Sequence, residues 1–325
     1  VPFSRMRVDI LLPLILVPSL SAAFVPLAGK PPFRSSLAAE GGPPKYEKII
    51  AKLIEAEEVG SGSVMLHIGT DGDEALDYKP GHVLALEIEM PSVASSLNEK
   101  NAQDADQNGG WMRGPYTVSR ATNNSLDILV KVVGDKSKRM ANAAPGTPIK
   151  FGGKFHVPIY EGINKEATKR VVLVSTGVGV GPCIGAIEEM VADDGFEAEV
   201  NLLASFRTEA EVISRDHLDT LMKENPNKFK WTPIVTSKMG RISESDETLK
   251  LAISPTLCSM NDTHYHLIGN AQLVNEWKAG LSQAGVPDEK VTIESYFNHK
   301  ADVDTERIER IAQVISQSAL NPASQ

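Results

Sequence analysis

The segment from Arg170 to Met190 constrains the fold more than any other part of the chain. The apolar run Val171-Val-Leu-Val174 breaks into Ser175-Thr176-Gly177-Val178-Gly179-Val180-Gly181-Pro182, which leads into Cys-Ile-Gly-Ala-Ile-Glu-Glu-Met190. A buried-type strand, a glycine-rich turn and a helix in that order call for a sheet with a helix packed back onto it. Such a turn also gathers bare backbone amides and the positive end of a helix at one point, where a pyrophosphate can be held. The spacing departs from G-x-G-x-x-G, and glycines that only let a helix approach a strand would look the same. Both readings stay open on the residues alone.

The rest of the second half repeats that alternation. Glu197-Ala-Glu-Val-Asn-Leu-Leu-Ala-Ser205, Trp231-Thr-Pro-Ile-Val-Thr236, Tyr265-His-Leu-Ile268 and Val291-Thr-Ile-Glu294 read as strands. Helical patterns fall at 182–192, 209–223, 247–253 and 273–284, which predicts a parallel sheet with helices on both faces. A last helix starts at Asp304 or Thr305 and places Ile308, Ile311 and Ile315 on one face. The first half differs. Ser63–Ile68, His82–Glu89, Ser125–Val133 and Thr147–Phe151 are short β-type segments broken by Gly, Pro and Asp, the spacing of a small antiparallel barrel or sandwich. Residues 92–110 are polar without an apolar period and read as an insertion loop. The expected layout is an address at 1–40, an antiparallel β-barrel at 41–165, a parallel-sheet, Rossmann-like α/β domain at 166–300 and a helical extension at 301–325.

The address reading rests on Arg5 and Arg7 before the apolar run from Ile10 to Leu20, then Ser21-Ala-Ala23, a signal-peptide pattern. Pro13 and Pro18 interrupt that run, which is short of the roughly 20 residues of a membrane span. Phe24 to Ser36 then carries Lys30 and Arg34 with no acid before Glu40, as transit peptides do. The pair resembles the bipartite presequence of algae with secondary plastids; secretion is the alternative. Removal of residues 1–38 would take Arg5, Arg7, Lys30, Arg34 and Asp9 and move the net charge from −9 to −12. That acidity excludes a simple nucleic-acid binder, and two cysteines, Cys183 and Cys258, exclude a disulfide scaffold.

A series of motifs in fixed order resembles the ferredoxin–NADP reductase-like flavoproteins over residues 45–298. Tyr78-Lys-Pro-Gly-His-Val83 is similar to their Pro-Gly strand start, Gly114-Pro115-Tyr116-Thr117-Val118-Ser119 to their Arg-Pro-Tyr-Thr/Ser flavin motif, and Gly134-Asp-Lys-Ser137 to the Gly-x-x-Ser/Thr that follows. Thr176 to Pro182 resembles their Thr-Gly-Thr-Gly-Ile-Ala-Pro loop. Phe206-Arg207-Thr208 resembles their Arg-Thr segment, and Leu267-Ile-Gly269-Asn270 falls where they carry Cys-Gly-Pro. The resemblance implies an FAD-binding barrel and an NAD(P)-binding domain. It implies hydride passing between nicotinamide and flavin N5, and an electron partner that would include a ferredoxin. By it Tyr116 lies against the flavin, Thr117 donates near N5 and Tyr296 stacks. Arg113, Lys131, Gly134 and Ser137 serve the flavin phosphates. Thr176, Gly177, Val178, Gly179, Gly181 and Pro182 hold the nicotinamide dinucleotide with Arg207, Thr208, Gly269 and Asn270, and Ser237 with Lys238 meets a 2′-phosphate, favouring NADPH over NADH.

The chain also departs from that pattern. Gly114 stands where the flavin motif has Arg, with Arg113 one place earlier; Ile268 replaces the Cys and Asn270 the Pro; 28 residues follow Phe297 where the plant-type members end. These departures keep a second reading open, a reductase-like binding subunit with little turnover whose last helix docks a partner. Tyr116 and Tyr296 have a plainer reading as core aromatics. Cys183, at a helix start, reads as a packed thiol rather than a reactive one. His264 and His266 share a strand face without further ligands nearby, so no metal is expected.

Overall fold

Six strands of the first half close into an antiparallel barrel. They are β1 (Ile49–Gly60), β2 (Ser63–Gly69), β3 (Val83–Glu89), β4 (Trp111–Ala121), β5 (Ser125–Lys131) and β6 (Pro148–Gly152), in spatial order β1-β2-β5-β4-β3-β6. The computed structural model describes residues 46–72, 75–89, 110–244, 249–250, 260–296 and 301–320. The address at 1–40, nearly all of the insertion at 92–110 and most of the helix expected at 247–253 lie outside those residues. Leu66, Leu84, Leu86, Val118, Ile128 and Phe151 point inward and fill the barrel. Among the described residues, β4 pairs with β3 from Trp111 to Thr117 but with β5 only from Val118 to Ala121. The ladder is therefore open beside 114–117, and Pro115, which has no N–H to give, is tolerated there. The register shifts between Val118 and Arg120, a bulge that singles out Ser119.

The second half is a five-stranded parallel sheet. Its elements are β7 (Arg170–Thr176), α2 (Val180–Ala192), β8 (Glu199–Phe206), α3 (Arg215–Glu224), β9 (Phe229–Val235), β10 (Thr263–Asn270), α4 (Ala271–Gln283), β11 (Val291–Tyr296) and α5 (Thr305–Leu320), with α1 (Asp135–Ala141) lying earlier, between β5 and β6. The strand order is β11-β10-β7-β8-β9. Val171 and Leu173 pack with α2 and α3, while Val172 and Val174 pack with α4 and α5, which is why β7 reads as an unbroken apolar run. Direction along the sheet reverses between β7 and β10, and open α/β sheets bind ligands outside the carboxyl ends of their strands at such a point.

The last helix is not a free docking element. Ile311, Val314 and Ile315 are buried in the core shared with α4, and a Cβ on Gly280 would fall 2.6 Å from Ile311 Cγ2, so α5 lies close against α4.

Barrel and sheet meet along α2 and β4, within one compact unit, Tyr46–Gln325. Met65, Leu129 and Ile159 from the barrel side join Val180, Cys183 and Ile184 in one apolar cluster. A Cβ on Gly185 would lie 1.9 Å from the Ser119 carbonyl oxygen, and one on Gly181 2.5 Å from Ser119 Oγ. Arg120 clamps the seam by donating to both oxygens of Glu188 at 2.6 and 2.7 Å. Burial pushes the Glu188 carboxyl up, but the hydrogen bonds from His217 and Arg120 outweigh it and hold the group at about 2.

Candidate active site between barrel and sheet

The open ladder is the mouth of a cavity of about 450 Å³. Pro115, Tyr116 and Thr117 of β4 form one wall and residues 129–131 of β5 the other; the turn 133–137 closes one end, and Val178, Pro182 and Tyr296 close the side toward the sheet. That volume lies within the range of about 300–1,000 Å³ typical of ligand sites. Burial raises the Tyr116 phenol to about 12, so the ring stays neutral while it lines an apolar slot. A slot between strands, walled by an aromatic ring and ending in a turn that carries Lys136 beside Asp135, suits a planar ring system with a phosphate tail.

A line of hydroxyls runs from this cavity into the seam. The Tyr296 hydroxyl donates to Thr117 Oγ1 at 3.3 Å, and Thr117 Oγ1 donates to Glu294. Glu294 is 7% exposed, and its burial raises the carboxyl to about 7 although the bonds from Thr117 and Tyr296 pull the other way. Burial also pushes Tyr296 well above its ordinary range. Glu294 is a candidate residue that sequence reasoning missed. The signal was present, since two residues apart on a strand share a face and Tyr296 was already a candidate. Cys183 is buried behind this group, its thiol raised by burial and by Glu294, with Sγ donating to Gly179 O at 3.5 Å, which makes it an unreactive packed thiol.

The glycines of the turn divide their work. Gly177 has φ +52° and no atom within 4 Å of where a Cβ would stand, so its glycine answers to backbone conformation and not to a packing neighbour. A Cβ on Gly179 would sit 3.0 Å from the Ile268 carbonyl oxygen, and Gly181 faces the barrel. The missing side chain of Gly181 serves the packing of α2 on the barrel. Gly269 has φ +123° and a Cβ there would strike Thr176 Oγ1 at 2.2 Å; the same oxygen accepts from Asn270 N at 2.7 Å and ties the turn to the end of β10. Asn270 Oδ1 accepts from Gln272 N and Leu273 N at 2.9 and 3.4 Å, so the residue in place of the family's Pro caps α4. Asn270→Ala is expected to cost about 1 kcal/mol, read as a lower melting temperature with the Thr176 contact, which uses the backbone, kept.

Other candidates fall elsewhere. Arg113 lies on the outer strand face, bonded to Tyr46 and 3.7 Å from Glu87, and does not line the cavity. Val118 is barrel core with both backbone groups engaged by Gly81 and His82, and Ser119 is buried in the seam with a partnerless hydroxyl; neither reaches the cavity. Lys131 lines it by its stem, while its ammonium goes to Ser61 O and lies 3.7 Å from Glu211. Gly134 and Ser137 do line it, but Ser137 Oγ accepts from Val133 N and Gly134 N and donates to Gly134 O, so this hydroxyl shapes the turn rather than greeting a phosphate. Arg207, Thr208, Ser237 and Lys238 come together beyond β8 and β9, where Ser237 N donates to Arg207 O at 3.0 Å. Lys238 and Arg215 both pair there with Glu209.

Residues 173–278 match the model of the oxidoreductase NAD-binding domain. With the barrel before it, the chain has the two-domain architecture of the ferredoxin–NADP reductase-like flavoproteins. Among curated proteins it is similar to NADH-cytochrome b5 reductase 2 of Danio rerio, 25% identical over 204 residues that make up 55% of this chain and 61% of the relative. The chain thus spans about three-fifths of that relative. Among solved structures it resembles a ferredoxin NADP+ reductase from Neisseria gonorrhoeae with bound FAD and NADP (TM-score 0.60, 18% identity, 77% of this chain and 99% of that one). It also resembles the flavohemoglobin of Malassezia yamatoensis (TM-score 0.61, 19% identity, 77% and 60%).

Proposed function

We propose that the chain passes reducing equivalents from a nicotinamide dinucleotide, through FAD held in the barrel cavity, to a separate acceptor. The observation that carries this is the position of the cavity, which opens between β4 and β5 directly against Val178 and Pro182 of the NAD-binding turn, with Tyr296 between them. FAD, when bound, supplies the hydride-accepting and electron-donating chemistry. The residues supply the rest. Tyr116 and Pro115 wall the slot, Tyr296 screens its sheet side, and burial holds a proton on Glu294 near pH 7, against the pull of the bonds from Thr117 and Tyr296. That proton reaches the cavity when the Glu294 carboxyl turns donor to Thr117 Oγ1 and the threonine hydroxyl passes its own proton on, the reverse of the resting donor sense.

The donor in this proposal is NADH. Where the resemblance places a 2′-phosphate, Lys238 and Arg215 share the one carboxylate of Glu209, so both cations are already engaged within the protein. The curated relatives, named as NADH enzymes, agree. The acceptor is one other than an acidic ferredoxin, because a net charge of −9 repels such a partner. Delivery to a plastid belongs to the proposal and rests on residues 1–40 alone.

The test is an anaerobic absorption spectrum of the purified full chain before and after NADH, and separately NADPH. A band near about 450 nm that NADH bleaches faster is the expected result. A colourless protein, or a yellow one that neither nucleotide bleaches, would sink the proposal in favour of a binding subunit.

A further inference from the structure

We infer that Lys136 is the cation for the flavin pyrophosphate, having taken over the place of the arginine that the flavin motif carries at position 114. The inference rests on the FAD reading above. Lys136 belongs to the turn at one end of the cavity, and its ammonium reaches across to β4, donating to Arg113 O at 3.1 Å and lying 5.4 Å from the centre of the Tyr116 ring. A Cβ built on Gly114 would fall 2.2 Å from Lys136 Nζ. The space where an arginine side chain would begin is therefore filled by a different residue's charge, coming from the turn at the cavity's end. Glycine at 114 leaves room for it.

The two cations that the resemblance assigns to the flavin phosphates are engaged elsewhere. Arg113 is turned to Glu87 and Tyr46 on the outer face, and the Lys131 ammonium is directed to Ser61 O. An ammonium is a point charge with rotatable donors, so it can hold a backbone carbonyl and also turn toward a phosphate. The swap also accounts for two features that look separate in the sequence, the missing arginine and the lysine inside Gly134-Asp-Lys-Ser137.

FAD and riboflavin titrations of the apoprotein, followed by tyrosine or flavin fluorescence, test this. Lys136→Met is expected to weaken FAD binding about tenfold, the scale of one charged hydrogen bond, and to leave riboflavin, which has no phosphate, unchanged. Unchanged riboflavin binding also shows that the variant is folded. Gly114→Ala should weaken FAD similarly, because its Cβ displaces only the flexible tip of Lys136. The double change Gly114→Arg with Lys136→Met should bring FAD affinity back toward that of the unaltered chain. Equal weakening of FAD and riboflavin would overturn the inference by making Lys136 a packing partner of Tyr116. Full FAD affinity in Lys136→Met would overturn it too. An unaltered chain that binds neither flavin refutes the FAD reading itself, which is a separate outcome.

Discussion

Glu294→Gln is expected to slow NADH-driven dye reduction on the order of 100-fold and to make the protein more stable above neutral pH. Glutamine keeps the shape of the side chain and still accepts from Thr117, but it cannot exchange a proton with the Tyr296–Thr117 line. The stability effect follows from burial. In the unfolded chain Glu294 ionises around 4.5, while in the fold burial raises it to about 7. Between those values the unfolded chain releases a proton that the folded chain keeps, so the native state loses stability as pH climbs from 4.5 through 7. The loss by pH 8 is about 3 kcal/mol, from roughly 1.4 kcal/mol per unit. Glu188, held at about 2, has the opposite sense: its stabilisation is present above its ordinary 4.5 and is lost as pH falls toward 2. The informative quantity is therefore the difference in melting temperature between unaltered protein and Glu294→Gln, followed from pH 5 to 8. It should grow in the variant's favour with pH. A gap that stays flat, or turnover that is unchanged, refutes the proton-holding role.

Much of this site was legible because its main features are local in the sequence. The alternation of apolar runs with amphipathic stretches after Arg170 states the parallel sheet, and Gly177 shows as a turn glycine. What was hidden is relational. β1 (Ile49–Gly60) mixes three isoleucines with two alanines and three glutamates and holds no clean alternation, so its strand shows only once it is paired with β2 and β6 in the barrel. β4 contains Gly114 and Pro115, which normally argue against an inner strand, and it exists because its ladder to β5 is open at that point. Glu294 reads as one more acid on a strand until Thr117, 177 positions earlier, is placed against it. The role of Lys136 likewise appears only when a residue is built at position 114. Gly181 was read as a phosphate glycine because helix-to-strand contact and anion binding demand the same small residue, and only the neighbour on the far side separates them.

Gly185 makes the same point on a larger scale and carries the strongest structural prediction. Gly181 and Gly185 stand one turn apart on α2, and both present bare backbone to Ser119 at the bulge of β4. The atom that a Cβ on Gly185 would meet at 1.9 Å is a backbone oxygen of a barrel strand, with Pro80 Cγ at 2.8 Å beside it, and neither can step aside as a flexible side chain would. Gly185→Ala must therefore lift α2 from β4. The expected cost is about 3 kcal/mol, the upper part of the usual overpacking range, or roughly 6 °C in melting temperature. The functional consequence is sharper than the loss of stability. The cavity walls at 115–117 and 129–131 belong to the barrel and stay in place, whereas Pro182 in the first turn of the same helix, and Val178 in the turn that leads into it, move with α2. The variant should thus retain FAD while NADH bleaches it at least about tenfold more slowly, since even a displacement near 1 Å can misalign reacting groups. Loss of flavin along with the nicotinamide response would mean that the barrel cannot hold its shape without α2, whereas a normal bleaching rate would show that the α2–β4 contact does not set the approach of the two cofactors.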